Sequence, residues 1–66
     1  MIKDDAQLQA TQERIVLFER LLADARKTYS ASNYKAMAEG YLRHIEQMQA
    51  DIRTYLSQVP DPGEAA

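Results

Sequence analysis

Largely apolar residues recur at alternating spacings of three and four through both halves of this chain. The first set is Leu8, Thr11, Ile15, Phe18, Leu22, Ala25 and Tyr29, and the second is Tyr34, Ala38, Tyr41, Ile45, Met48, Ile52, Tyr55 and Val59. This spacing has the period of an α-helix, and no apolar/polar alternation is long enough to indicate a strand. The sequence therefore predicts an all-α protein built from two long amphipathic helices.

Capping residues and prolines predict where these helices begin and end. Asp4 followed by Gln7 resembles a capping box at the start of the first helix. Pro60 and Pro62 stop the second helix, since proline lacks an amide donor and clashes with the preceding turn. The candidates for the N-cap of the second helix are Ser30, Ser32 and Asn33, and the pattern alone does not choose among them.

These signals predict one helical-hairpin domain over residues 1–59. We expect the first helix over about residues 5–27, a loop over about 28–32 and the second helix over about 33–58. A connection of that length favours two antiparallel helices, an αα-hairpin. Residues 60–66 are expected to form a flexible tail.

The apolar face of each helix is wider than a single neighbour requires. Leu17 and Leu21 lie well to one side of the first stripe, and Leu42 and Leu56 widen the second. A lone hairpin would leave this surface in water, so we expect a homodimer that forms a four-helix bundle. A different protein that supplies the missing helices is the alternative. The expected interface residues are Leu8, Arg14, Ile15, Leu17, Phe18, Leu21, Leu22, Tyr41, Ile45, Met48, Ile52 and Tyr55.

Arg14 falls inside the wide apolar arc of the first helix. One interpretation is a snorkelling side chain whose aliphatic stem covers apolar surface. The other is an ion pair at a subunit interface that fixes register or the choice of partner. Both remain open at the level of sequence.

Composition excludes several classes of protein. The 66 residues include no cysteine, so no disulfide framework and no cysteine-ligated metal is expected. No apolar run approaches the roughly 20 residues of a membrane-spanning helix, and two aspartates stand where a signal peptide needs an apolar core. We therefore expect a cytoplasmic protein with no membrane partner.

No residue set indicates catalysis, a cofactor or a metal. His44 is the only histidine, and Gly40, Tyr41, Gln47 and Met48 occupy the helical positions where a second metal ligand would lie. Arg20 with Asp24 and Glu39 with Arg43 are expected to form pairs on solvated helix faces. With a net charge of −2, direct binding of nucleic acid is also disfavoured. The sequence predicts a non-enzymatic protein.

A few positions resemble a known family. They are Met1-Ile2-Lys3, Gln7, Thr11 and Phe18-Glu19, followed after the polar break by Ile45-Glu46, Ile52 and Tyr55-Leu56. Over about residues 1–57 the chain resembles the N-terminal helical hairpin of antitoxin-like helix-turn-helix regulators, the HigA-like members of the XRE group.

The resemblance implies a segment for dimerisation or for binding a protein partner, such as a toxin or a transcriptional regulator. Regulators of this kind continue into a DNA-binding helix-turn-helix domain, whereas here Pro60-Asp61-Pro62-Gly63 follows the second helix. The resemblance therefore assigns no DNA contact to any residue of this sequence. A stand-alone relative and a fragment of a larger regulator both fit.

Overall fold

The computed structural model describes residues 1–59, and over that range the chain is an all-α helical hairpin. Helix α1 spans Asp5–Thr28 and helix α2 spans Ala31–Ser57, and the two pack against each other along their length. The predicted fold class is thus confirmed. The flexible tail expected at residues 60–66 lies outside the described residues.

The connection between the helices is shorter than expected. It consists of Tyr29 and Ser30 alone, because α1 continues through Thr28 and α2 begins at Ala31. Tyr29 follows the first stripe in the sequence, but it has extended backbone angles and its side chain is half exposed. So short a turn leaves antiparallel packing as the accessible geometry.

Side-chain caps begin both helices. At α1, Oδ1 of Asp4 accepts a 2.8 Å hydrogen bond from the amide of Gln7, and Oε1 of Gln7 accepts one of 2.8 Å from the amide of Lys3. At α2, Oγ of Ser30 accepts a 3.3 Å hydrogen bond from the amide of Asn33. The structure therefore identifies Ser30 as the N-cap that the sequence left among three candidates.

The core is a narrow seam between the two helices. Its buried members are contributed equally by the two helices, and partly buried aromatic, methionine and isoleucine side chains flank them. The buried members are Ile15, Leu22, Ala38 and Ile45, flanked by Phe18, Tyr34, Met37, Tyr41, Met48 and Ile52. This seam coincides with the two predicted stripes, so the heptad-like spacing is used for packing within one chain.

The segment before α1 also packs against the hairpin. Ile2 is buried, and it lines a groove together with Thr11 of α1 and Met48 of α2. Beside it, the amino group of Met1 lies 3.7 Å from Oδ2 of Asp51. The segment therefore occupies the groove at the end of the hairpin far from the connection. Neither helix is long and apolar enough, over the described residues, to cross a membrane.

Candidate interaction surface

The hairpin has two broad sides, each with a groove between the helices. One groove is lined by Phe18, Met37, Gly40, Tyr41 and His44. We call this side the front face, and the groove that holds Ile2 lies on the same side. The groove of the opposite side, the back face, is lined by Glu19, Leu22, Ala23, Arg26, Tyr34, Leu42, Ile45, Glu46 and Gln49.

Large apolar side chains that the seam does not cover lie on both faces. On α1, Leu17 is 65% exposed and Leu21 is 39% exposed. Leu21 projects from the front face because it follows Arg14, which lines the front, by one heptad. Leu17 lies on the outer side of α1, in a shallow depression that it lines with Gln12, Glu13, Val16 and Arg20. On the back face, Leu42 of α2 is 53% exposed.

The twelve expected interface residues separate into three groups. Ile15, Leu22 and Ile45 are buried between the helices of one chain, so they support a subunit interface only through the hairpin that they hold together. Six are half-buried along the same seam: Leu8, Phe18, Tyr41, Met48, Ile52 and Tyr55. Only Arg14, Leu17 and Leu21 are exposed.

The front groove is aromatic and lacks carboxylates. The rings of Phe18 and Tyr41 meet edge to face with centroids 5.2 Å apart, a geometry that favours aromatic pairs. His44 stands edge to face with Phe18 as well, at 6.2 Å. Gly40 leaves a gap beside these rings, because a Cβ built at Gly40 would meet no atom within 4 Å.

The polar residues weighed from the sequence are all exposed on the two helices. His44 is exposed, and no group of three potential metal ligands occurs within residues 1–59. Among the described residues, neither the pair Arg20 and Asp24 nor the pair Glu39 and Arg43 closes to an ion pair within 4.0 Å. The expected helical pairs are therefore not formed, and the side chain of Asp24 stays available to a neighbouring molecule.

Two contributors to this surface were not anticipated from the sequence. Ile2 precedes the first helix and belongs to neither stripe, and its only signal was an apolar residue just before a cap. Gly40 is the second, and it lines the front groove with open space at its missing Cβ. Its signal was a glycine inside a helical pattern, where glycine costs about 1 kcal/mol relative to alanine.

Comparison with known proteins identifies no relative of this chain. No family model matches this sequence, and neither a curated protein nor a solved structure gives a significant match.

Proposed function

We propose that this chain is a non-enzymatic interaction module, a helical hairpin that homodimerises into a four-helix bundle. The observation that carries the proposal is the exposure of Leu17 and Leu21 on the part of α1 that the seam does not cover. In a four-helix bundle each helix has two neighbours, at roughly a right angle to one another. At about 100° per residue, Leu21 lies about a right angle from the centre of the seam on α1. A second helix in that direction covers Leu21, and Leu17 lies at the edge of the same contact, about 40° further from the seam.

The size of the core supports the same conclusion. One seam with four buried members has to offset the conformational entropy lost by two long helices. Chains of this length reach stability more readily when association adds a second core. The bundle supplies that core from surface that the isolated hairpin leaves in water.

Coupling between folding and association provides the test of this proposal. If the dimer is the folded species, the midpoint of thermal unfolding rises with protein concentration by mass action. Circular dichroism at several concentrations, over a hundredfold range, measures this dependence. A midpoint that stays constant over that range would contradict homodimerisation.

An antitoxin-like role, as an accessory chain that binds a protein toxin or a regulator, is the second candidate. The resemblance of about residues 1–57 to the hairpins of antitoxin-like regulators favours it. In this role the exposed leucines of α1 contact a different protein, in the cytoplasm and without contact to nucleic acid or membrane. A purified chain that is folded, dimeric and indifferent to the products of neighbouring genes would argue against it.

A further inference from the structure

We infer that residues 1–5 form a clasp, and that the end of the hairpin beneath it opens as a separate unit when the clasp is released. This end, which we call the open end, consists of residues 5–14 of α1 and residues 46–57 of α2. The inference concerns the opening of a single hairpin, so it does not depend on the proposed homodimer.

Burial is unequal along the seam. The buried residues of the helices extend from Ile15 to Ala25 in α1 and from Ala38 to Ile45 in α2, which is the middle of the hairpin and the half nearer the connection. Within the described residues, the open end contributes no buried helix residue. Its most enclosed side chains are only half-buried, and they are Leu8, Thr11, Met48, Asp51, Ile52 and Tyr55.

Thr11 weakens the seam at the open end. It occupies a position of the first stripe, but its hydroxyl donates a 2.8 Å hydrogen bond to the carbonyl of Gln7 in its own helix. A hydroxyl used in this way adds nothing to the packing between the helices. Helical turns are marginally stable without a packed apolar face, so the open end needs a further contribution to remain folded.

Ile2 supplies the burial that the two helices lack at this end. Its side chain is 7% exposed, the same fraction as for Ile45 in the middle of the seam. Ile2 lines a groove to which α1 contributes Thr11 and α2 contributes Met48. Its burial therefore depends on both helices, and it is lost when they separate or unravel at the open end.

Polar contacts attach residues 1–5 to both helices. The amide of Lys3 donates a 2.8 Å hydrogen bond to Oε1 of Gln7, which ties the segment to the first turns of α1. Oδ1 of Asp5 accepts a 2.6 Å hydrogen bond from the hydroxyl of Tyr55 near the end of α2. The segment thus bridges the two helices on the side where no turn of the chain connects them.

Release of the clasp has a local effect. When Ile2 leaves its groove, the open end loses its one buried side chain among the described residues, whereas the seam from Ile15 to Ile45 keeps its own. Units with little buried surface open at a lower free energy than the whole protein unfolds. Opening exposes Met48 and Ile52, which the sequence predicts at an interface, so the clasp limits the access of a partner to them.

Two isoleucines of equal burial provide a matched test. Ile2 and Ile45 are each 7% exposed, and replacing either with valine removes a single methylene group. We expect each change to shift an opening equilibrium by roughly two- to tenfold, little enough for both variants to fold. Hydrogen exchange followed by NMR on the full chain, at one protein concentration, measures the open end at amides 9–13 and 48–53. Amides 18–25 and 38–45 report on the middle.

Separate opening predicts different responses to the two substitutions. Ile45→Val should accelerate exchange in the middle and leave the open end unchanged, because Ile45 stays packed while the open end opens. Ile2→Val should accelerate exchange at the open end, and in the middle too, because Ile2 is released by either opening.

Two results would overturn the inference. Equal acceleration of the open end by both substitutions would show that the hairpin unfolds as one unit. Unchanged exchange at the open end of Ile2→Val would show that Ile2 does not hold it closed.

Discussion

The hydroxyl of Tyr55 donates a 2.6 Å hydrogen bond to Oδ1 of Asp5, which joins the last turns of α2 to the first residue of α1. These residues are close together in space because the hairpin returns the chain to its starting end. The contact fixes the alignment of the two helices at the end opposite their connection. The side chain of Tyr55 is half-buried, while its hydroxyl reaches Asp5 at the rim of the hairpin.

Removing that hydroxyl should loosen the open end of the hairpin. We expect Tyr55→Phe to lower the free energy of unfolding by about 1 kcal/mol, the usual contribution of one hydrogen bond. Urea denaturation followed by circular dichroism measures the change. Tyr29→Phe is the matched control, since Tyr29 is half exposed outside the helices and should tolerate the change. Equal effects of the two substitutions would show that the contact with Asp5 contributes nothing.

The N-cap of α2 provides a second test. Ser30→Ala removes the Oγ that accepts from the amide of Asn33, and we expect a loss of about 1 kcal/mol in stability. Ser32→Ala should be neutral or slightly stabilising, because Ser32 lies inside the helix, where alanine is favoured. Thermal unfolding of the two variants at one protein concentration compares them. A larger loss at Ser32 would place the cap at another residue.

A charged side chain introduced into the seam should destabilise the protein. Ile45 of α2 is buried in the seam between the two helices. Ile45→Asp therefore places a carboxylate in the only core cluster found within residues 1–59. We expect a loss of more than about 3 kcal/mol, enough to unfold the protein together with the dimer. Circular dichroism should show the helical signal disappear, whereas Gln49→Asp on the same helix should retain it. A helical, monomeric Ile45→Asp variant would show that the hairpin is stable on its own.

Ile2 should contribute to stability although it lies outside both helices. Its side chain is 7% exposed, and Ile2→Ala should cost about 1–2 kcal/mol from the apolar surface that is lost. The control is Lys3→Ala, because the side chain of Lys3 is exposed and its backbone amide keeps the bond to Gln7. Chemical denaturation of both variants provides the comparison. No difference between them would mean that the segment before α1 rests on the hairpin without stabilising it.

Much of this fold follows from local sequence signals. The spacing of the stripes predicted both helices, and Asp4 caps the first helix as expected, because these signals act within a few residues. The second bond of the capping box differs, since Gln7 accepts from the amide of Lys3 rather than from that of Asp4. The N-cap of α2 could not be chosen from Ser30, Ser32 and Asn33, since all three residue types accept the same hydrogen bond. Only the length of the turn decides among them.

The candidate interface was less predictable. A wide apolar arc indicates that a helix has more than one neighbour. It does not indicate which part of the arc packs against the other helix of the hairpin and which part is left for another neighbour. Ile15 and Leu17 belong to the same arc, yet the structure buries Ile15 within the chain and leaves Leu17 exposed. The contribution of Ile2 was missed because a single apolar residue ahead of a helix carries no periodicity.

The molar mass of the folded chain in solution tests the central claim most directly. Light scattering coupled to size-exclusion chromatography, at micromolar concentrations and with helicity checked in the same sample, gives this mass. We predict a helical species of twice the 7.5 kDa chain mass. A helical species of 7.5 kDa at those concentrations would contradict the account, since the exposed leucines of α1 would then face water in a stable protein.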